Sequence, residues 1–110
     1  MRPQAGTGED GAMWRQGDVL LTTVASVPEG AKKLPHCTLA EGEFTGHSHR
    51  VAEKGVAELY ELNGALFLDV TAESATVVHD EHGPVTLRRG TYRVTRQREY
   101  TPREVINVRD

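Results

Sequence analysis

Hydrophobic and polar residues alternate in short stretches along most of the chain, and turn-forming residues separate these stretches. From Trp14 onward, apolar runs are broken every eight to twelve residues by Gly, Pro, Asn or charged pairs, a rhythm typical of all-β domains. About eight short strands are predicted from this pattern. They cover residues 18–24, 38–44, 47–53, 56–62, 65–71, 75–79, 85–87 and 91–98. We therefore predict an all-β fold, a small β-barrel or β-roll, as a single domain over residues 13–110.

Asn63 and Gly64 predict a hairpin between two of these strands. Asn-Gly is the dipeptide most favoured in a two-residue type I′ turn, because both central residues need a positive φ. In the strand that follows, Leu66, Leu68 and Val70 fall on one face, since alternate residues of a strand share a face. That face is predicted to lie in the core.

The two ends of the chain differ from this pattern. Residues 1–12 combine glycines with polar residues and show no apolar periodicity, which predicts an unpaired, disordered tail. The segment 101–104 (TPRE) has the order of a helix capping box and predicts a short C-terminal helix. The alternative is a last strand through Val105, Ile106 and Val108, which β-branching favours.

Composition narrows the class of protein. The chain has 110 residues, of which 37% are hydrophobic, so one domain with a thin core is expected. The single cysteine, Cys37, excludes an intramolecular disulfide and is expected to act as a small buried hydrophobe. No apolar run approaches the roughly 18 residues of a membrane helix, and the opening segment lacks the apolar block of a signal peptide. We expect a cytoplasmic protein held together by self-association, by a bound metal, or by both.

Two histidines at alternating positions form the first chemical motif. In the segment 46–53 (GHSHRVAE), His47, His49 and Glu53 are expected on one face of a strand. Two imidazoles with a carboxylate further along can begin a site for Zn, Fe, Mn, Co or Ni. The alternative is that these are exposed polar residues on a half-solvated strand.

A second pair, His79 and His82, flanks the dipeptide Asp80-Glu81. If that dipeptide forms a tight turn, the two imidazoles lie opposite each other at the two ends of the turn and can ligate one ion together. The alternative is a solvated loop, since loops favour such residues for solubility.

The spacing of His47, His49 and Glu53 resembles the first motif of the cupins, small β-barrels that hold a metal ion inside the barrel. Around Gly90 the chain also keeps the spacing of the second cupin motif, with Arg93 where that motif has its histidine. The resemblance implies a cupin-like barrel in which the two histidines and the glutamate ligate the metal. It also implies that a histidine of the second pair replaces the missing one.

The arginine-rich C-terminal part indicates a different class of function. On the predicted strand 91–98, Arg96 and Arg98 share a face with Tyr92, and Arg93 lies on the other face. Arginine and tyrosine interleaved on one strand can hold phosphates and stack bases, as in single-strand nucleic-acid binders. The alternative is a solvated edge, which the net charge of −3 favours because it weakens affinity for nucleic acid.

These observations predict a protein that binds a divalent transition metal (Zn, Fe, Mn, Co or Ni). One version of this hypothesis is a metal-dependent enzyme that acts on a small organic molecule. The predicted ligands are His47, His49, Glu53, His79 and His82. A non-catalytic homo-oligomeric module with structural histidines or metal stays open as an alternative. So does a single-stranded nucleic-acid-binding barrel, although a nucleic-acid partner is not expected. Self-association as a dimer or trimer is expected. Other small β folds, including trimeric β-helices with histidines shared between subunits, can contain the same histidine motifs.

Overall fold

The computed structural model describes residues 12–42 and 45–97, which form one eight-stranded antiparallel sheet. Its strands are β1 (Met13–Gln16), β2 (Val19–Val24), β3 (Lys32–Lys33), β4 (Thr38–Glu41), β5 (Ser48–Val51), β6 (Ala57–Leu62), β7 (Ala65–Val78) and β8 (Val85–Arg96). The predicted all-β class is confirmed.

The strands are ordered β1-β2-β8-β7-β5-β4, with β6 paired to β7 and β3 paired to β6. Among the described residues no strand pair joins β1 to β4, so these pairs form an open sheet rather than a closed barrel. The hairpin at Asn63-Gly64 is confirmed, with φ angles of 51° and 86°.

The hairpin of β7 and β8 is longer than the sequence pattern predicted. Each of these strands was expected as two short ones, but they run without interruption for 14 and 12 residues. The β7–β8 register shifts between Val70 and Ser74, and Gly90 opposite Val70 has a φ of 148°, a conformation that favours glycine. The hairpin therefore bends: the first part of β7 pairs with β6, and its end pairs with β5.

The first strand was not predicted. β1 is joined to β2 by a two-residue turn, Gly17-Asp18, with Gln16 opposite Val19. Gly17 has a φ of 61°, and a glycine at the first central position is the signal of a type II′ hairpin. The short strand β3 was also not predicted, and it pairs with β6.

The core consists mainly of aliphatic side chains from β2, β4, β6, β7 and β8. Leu59 and Leu68 face each other across β6 and β7, and both are fully buried. Leu68 and Val70 are buried as predicted, whereas Leu66 is only partly buried.

Several expectations concern parts of the chain outside the described residues. They include the tail up to residue 11, the C-terminal helix or strand, and the end of the predicted strand 38–44. Ala12, assigned to the tail, is described, and its carbonyl accepts a hydrogen bond from the Thr23 N–H at 3.2 Å. In the described part of the chain, no helix has the length and apolar character needed to cross a membrane.

Truncating the centre of the core tests this packing. We expect Leu68→Ala to lower the free energy of unfolding by about 2–5 kcal/mol, because it removes apolar contacts and leaves a cavity. Met13→Ala is the control, since Met13 is 52% exposed, and it should change stability by less than about 0.5 kcal/mol. Urea unfolding followed by circular dichroism measures both, and similar values for the two variants would contradict the described core.

Candidate functional site

Four histidines meet at one end of the sheet. His47 precedes β5, His49 lies on β5, and His79 and His82 belong to the loop 79–84 between β7 and β8. The ring centres are 4.2 Å apart for His49 and His79, and 4.7 Å apart for His79 and His82. His47 lies 5.7 Å from His79, and His49 lies 6.2 Å from His82. We call these four residues the histidine cluster.

Strand pairing brings the two histidine motifs together. β5 pairs with the end of β7, so that Arg50 lies opposite Val78, immediately before the loop 79–84. Asp80 Oδ1 then accepts hydrogen bonds from the Ser48 N–H at 3.2 Å and from Arg50 Nη1 at 3.3 Å. The hydrogen bond from Ser48 lowers the pKa of the Asp80 carboxyl. The connection is thus a six-residue loop held against β5, rather than a tight turn at Asp80-Glu81.

His49 is the buried member of the cluster, with 4% of its surface exposed. Its Nδ1 lies 2.8 Å from Gln16 Oε1. Gln16 Nε2 donates to the carbonyls of Val77 at 2.9 Å and Gly83 at 2.8 Å, which fixes the orientation of the amide. Because Oε1 can only accept, His49 Nδ1 carries a proton. In the neutral imidazole, Nε2 is then left with a lone pair.

Burial lowers the pKa of His49 from 6.5 to about 4, and the neighbouring His79 acts in the same direction. The charged form is disfavoured because water is excluded and a second imidazole lies close. His49 is therefore neutral near pH 7.

An anchored carboxylate faces the same imidazole. Asp18 Oδ1 lies 3.7 Å from His49 Nε2. Asp18 Oδ2 accepts from Arg96 Nη2 at 3.2 Å, and Arg96 Nη1 donates to the Glu41 carbonyl at 3.2 Å. Burial raises the pKa of the Asp18 carboxyl, but the hydrogen bond and charge of Arg96 outweigh it, so the pKa is lowered overall.

Gly17 leaves room for two of the rings. A Cβ at this position would lie 2.7 Å from His82 Nε2 and 3.4 Å from His49 Cε1. The positive φ of Gly17 independently favours glycine. The backbone of the β1–β2 turn therefore lies directly against the imidazoles.

The remaining predicted ligand is held elsewhere. The two oxygens of Glu53 accept hydrogen bonds from the Thr76 N–H at 2.9 Å and the Thr76 hydroxyl at 2.8 Å. These bonds lower the pKa of Glu53 and tie its carboxylate to β7. Within residues 12–42 and 45–97, no three His, Cys, Asp or Glu side chains are already arranged to hold one metal ion.

Two of the groups proposed for nucleic-acid binding, Tyr92 and Arg93, contact other side chains of the fold. Tyr92 is 3% exposed, its hydroxyl donates to the Arg88 carbonyl at 2.7 Å, and its ring packs edge-on against Trp14 at 5.5 Å. Tyr92 is therefore unavailable for stacking on a base. Arg93 lies over the Phe67 ring at 5.7 Å, and Arg98 lies outside the described residues.

Cys37 and His36 do not join the cluster. Cys37 Sγ donates to the Ala57 carbonyl at 3.3 Å, and burial, reinforced by Glu58, raises the pKa of the thiol. The thiol therefore stays protonated, in keeping with a small hydrophobe. His36 Nδ1 accepts a local hydrogen bond from the Thr38 N–H at 3.1 Å.

Three residues of the site were not singled out from the sequence: Gln16, Gly17 and Asp18. The string Gln-Gly-Asp between two apolar stretches carries a usable signal, because Gly-x is the dipeptide of a type II′ hairpin. That signal predicts the turn. The contacts of Gln16 and Asp18 with His49 depend on strands distant in the sequence.

Residues 15–97 match the family described as Domain of unknown function (DUF8820). The chain belongs to this family. The matched DUF8820 segment contains the whole histidine cluster together with the β1–β2 turn. No curated protein and no solved structure matches the chain.

The pKa of His49 predicts a pH-dependent stability of the metal-free DUF8820 domain. The folded pKa of about 4 is below the value of 6.5 that applies when the chain unfolds, so the unfolded chain binds more protons in this interval. The contribution of neutral His49 to the free energy of unfolding is fully present above pH 6.5. It decreases as the pH falls toward 4, by at most about 1.4 kcal/mol per pH unit. Urea unfolding at several pH values measures the slope. His49→Gln, which can still donate to Gln16, should reduce it, and an unchanged slope would contradict the assignment.

Gly17→Ala tests the contact between the turn and His82. Gly55→Ala is a matched control, because Gly55 also has a positive φ, 76°, but nothing lies within 4 Å of its added Cβ. We expect Gly17→Ala to destabilise the domain by about 1 kcal/mol more than the control, since the new methyl group displaces the imidazole. The excess should disappear when His82→Ala is present in both backgrounds. Equal costs for the two glycines in urea unfolding would refute the contact.

Proposed function

We propose that this DUF8820 domain binds one divalent transition-metal ion at the histidine cluster. The observation that carries the proposal is the convergence of four imidazoles, of which that of His49 is buried and has an unprotonated Nε2. Neutral imidazole is the form in which histidine ligates Zn, Fe, Mn, Co and Ni.

The environment of His49 supports a role as the central ligand. Metal-binding histidines usually donate their second ring N–H to an oxygen that fixes the tautomer and the ring orientation. Gln16 Oε1 accepts such a bond at 2.8 Å. The low pKa of His49 also reduces competition from protons, because a ligand must be deprotonated to bind.

The other histidines require a local adjustment. His79 Nδ1 accepts a hydrogen bond from the Glu81 N–H at 3.0 Å, so in the neutral ring the proton sits on Nε2. His79 can ligate through Nε2 only after this bond is released and the proton moves to Nδ1. Ligation by His79 would therefore require a local movement of the loop 79–84, whereas His49 can ligate as it stands. Glu53 is left out of the proposed ligand set because both of its oxygens are bonded to Thr76.

The exposure of the cluster bears on what the ion does. His82 is exposed, whereas His49 is buried, so an ion between them is reached from solvent on one side. Catalytic ions keep a position open to water or substrate, whereas structural ions are enclosed by protein ligands. The exposed side supports the enzymatic form of the proposal, in which a metal-activated water acts on a small organic molecule. The ion also links β5 to the loop 79–84, so it stabilises the fold in either role.

The test is to measure metal content and affinity. We expect elemental analysis of untagged, reconstituted protein to give about one ion per chain, and calorimetric titration to show Zn²⁺ binding that weakens at least about tenfold in His49→Ala. His36→Ala is the matched control, since His36 bonds locally to Thr38, and it should bind as the unaltered chain does.

Two results would overturn the proposal: no ion bound after reconstitution, or equal affinity in the two variants. Circular dichroism verifies that each variant is folded. Light scattering on the same samples tests the predicted self-association, and a ratio near one ion per three chains would indicate a site shared around a trimer axis.

A further inference from the structure

We infer that Asp18 supplies a carboxylate ligand to the same ion, in a set of His49, His82 and Asp18. The inference rests on the proposed function and extends it. It assigns the anionic ligand to the β1–β2 turn, which the sequence motifs did not include.

The distance between the two facing atoms supports this assignment. Asp18 Oδ1 lies 3.7 Å from His49 Nε2. Two ligand atoms about 2.0–2.2 Å from a tetrahedral ion are roughly 3.3–3.5 Å apart. A shift of a few tenths of an ångström therefore brings both atoms into the coordination sphere of one ion.

The chemistry of the two atoms points the same way. Gln16 leaves His49 with a lone pair on Nε2, and Asp18 Oδ1 is a carboxylate oxygen. Neither atom of this contact has a proton to donate, so two lone pairs face each other across 3.7 Å. A metal ion placed between them satisfies both lone pairs.

Asp18 is held in the orientation that a ligand needs. Arg96 binds Oδ2 through Nη2 at 3.2 Å and is itself anchored to the Glu41 carbonyl. Oδ1 is thereby turned toward His49. Ordered partners that orient a ligating carboxylate are a general feature of metal sites.

His82 completes the set on the same side of the turn. Its Nε2 and His49 Cε1 both approach Gly17, the residue next to Asp18. Two histidines and one carboxylate on one side of an ion leave its other positions open for water, for a small ligand or for the remaining imidazoles. This donor set suits Fe(II) as well as Zn(II).

The experiment compares two carboxylates near the cluster. Asp18→Asn removes the proposed ligand, and Glu41→Gln removes an equal charge from β4, where Glu41 is exposed opposite Ser48 and keeps the backbone carbonyl that Arg96 binds. We expect Asp18→Asn to weaken Zn²⁺ binding at least about tenfold and to shift the visible absorption bands of bound Co²⁺. Glu41→Gln should stay within about threefold of the unaltered chain, with its Co²⁺ bands unchanged.

Equal weakening in Asp18→Asn and Glu41→Gln, with unshifted Co²⁺ bands, would show that Asp18 acts only as a charge and would overturn the inference. Unaltered binding in Asp18→Asn would overturn it as well. In either case the proposed function stands if His49→Ala still loses the ion. If the unaltered chain binds no metal, the proposed function itself is wrong.

A second variant covers the case in which Asp18→Asn does not fold. Asp18→Glu keeps the carboxylate and its charge but places it one methylene further from the backbone. A ligand moved in this way shifts the Co²⁺ bands, whereas a remote charge leaves them where the unaltered chain has them. Unshifted bands in folded Asp18→Glu would therefore refute the assignment.

Discussion

The buried amide of Gln16 is the interaction on which the site depends. Its nitrogen donates to the carbonyls of Val77 and Gly83, and its oxygen faces His49 Nδ1. One side chain thereby connects β1 with β7, with the loop 79–84 and with β5. A buried polar group that loses its partner costs about 1–3 kcal/mol, so these four segments hold one another in place. The tautomer of His49, the position of the loop and the approach of the β1–β2 turn all follow from this arrangement.

The bend in the β7–β8 hairpin brings His79 and His82 to the site. At Val70 and Gly90 the register shifts and the backbone turns, which separates the part of β7 paired with β6 from the part paired with β5. The far end of the hairpin then delivers His79 and His82 to the strand that carries His49. The long hairpin belongs to both parts of the sheet, and its buried side chains form one core cluster with those of β2, β4 and β6.

Much of this could be predicted from local sequence, because strand periodicity, the Asn63-Gly64 turn and the two histidine pairs are local features. The rest depends on register between distant strands. The spacing of Glu53 from the two histidines predicts a ligand. Because β5 pairs with β7, however, the carboxylate of Glu53 accepts hydrogen bonds from Thr76. Tyr92 lies among arginines in the sequence, as a base-stacking residue would. In the structure its side chain is buried in the core, on the inner face of β8. Asp18 belongs only to a local turn signal, and its orientation toward His49 depends on Arg96, which lies far along the chain.

The edge-on packing of Trp14 against Tyr92 has a practical consequence. Trp14 is the only tryptophan of the chain, it lies on β1 two residues before Gln16, and its ring is partly buried against β8. Its fluorescence therefore arises from one strand, the strand whose end carries the amide that organises the histidines. An emission spectrum reports whether β1 is docked on the sheet, and it does so without any added label.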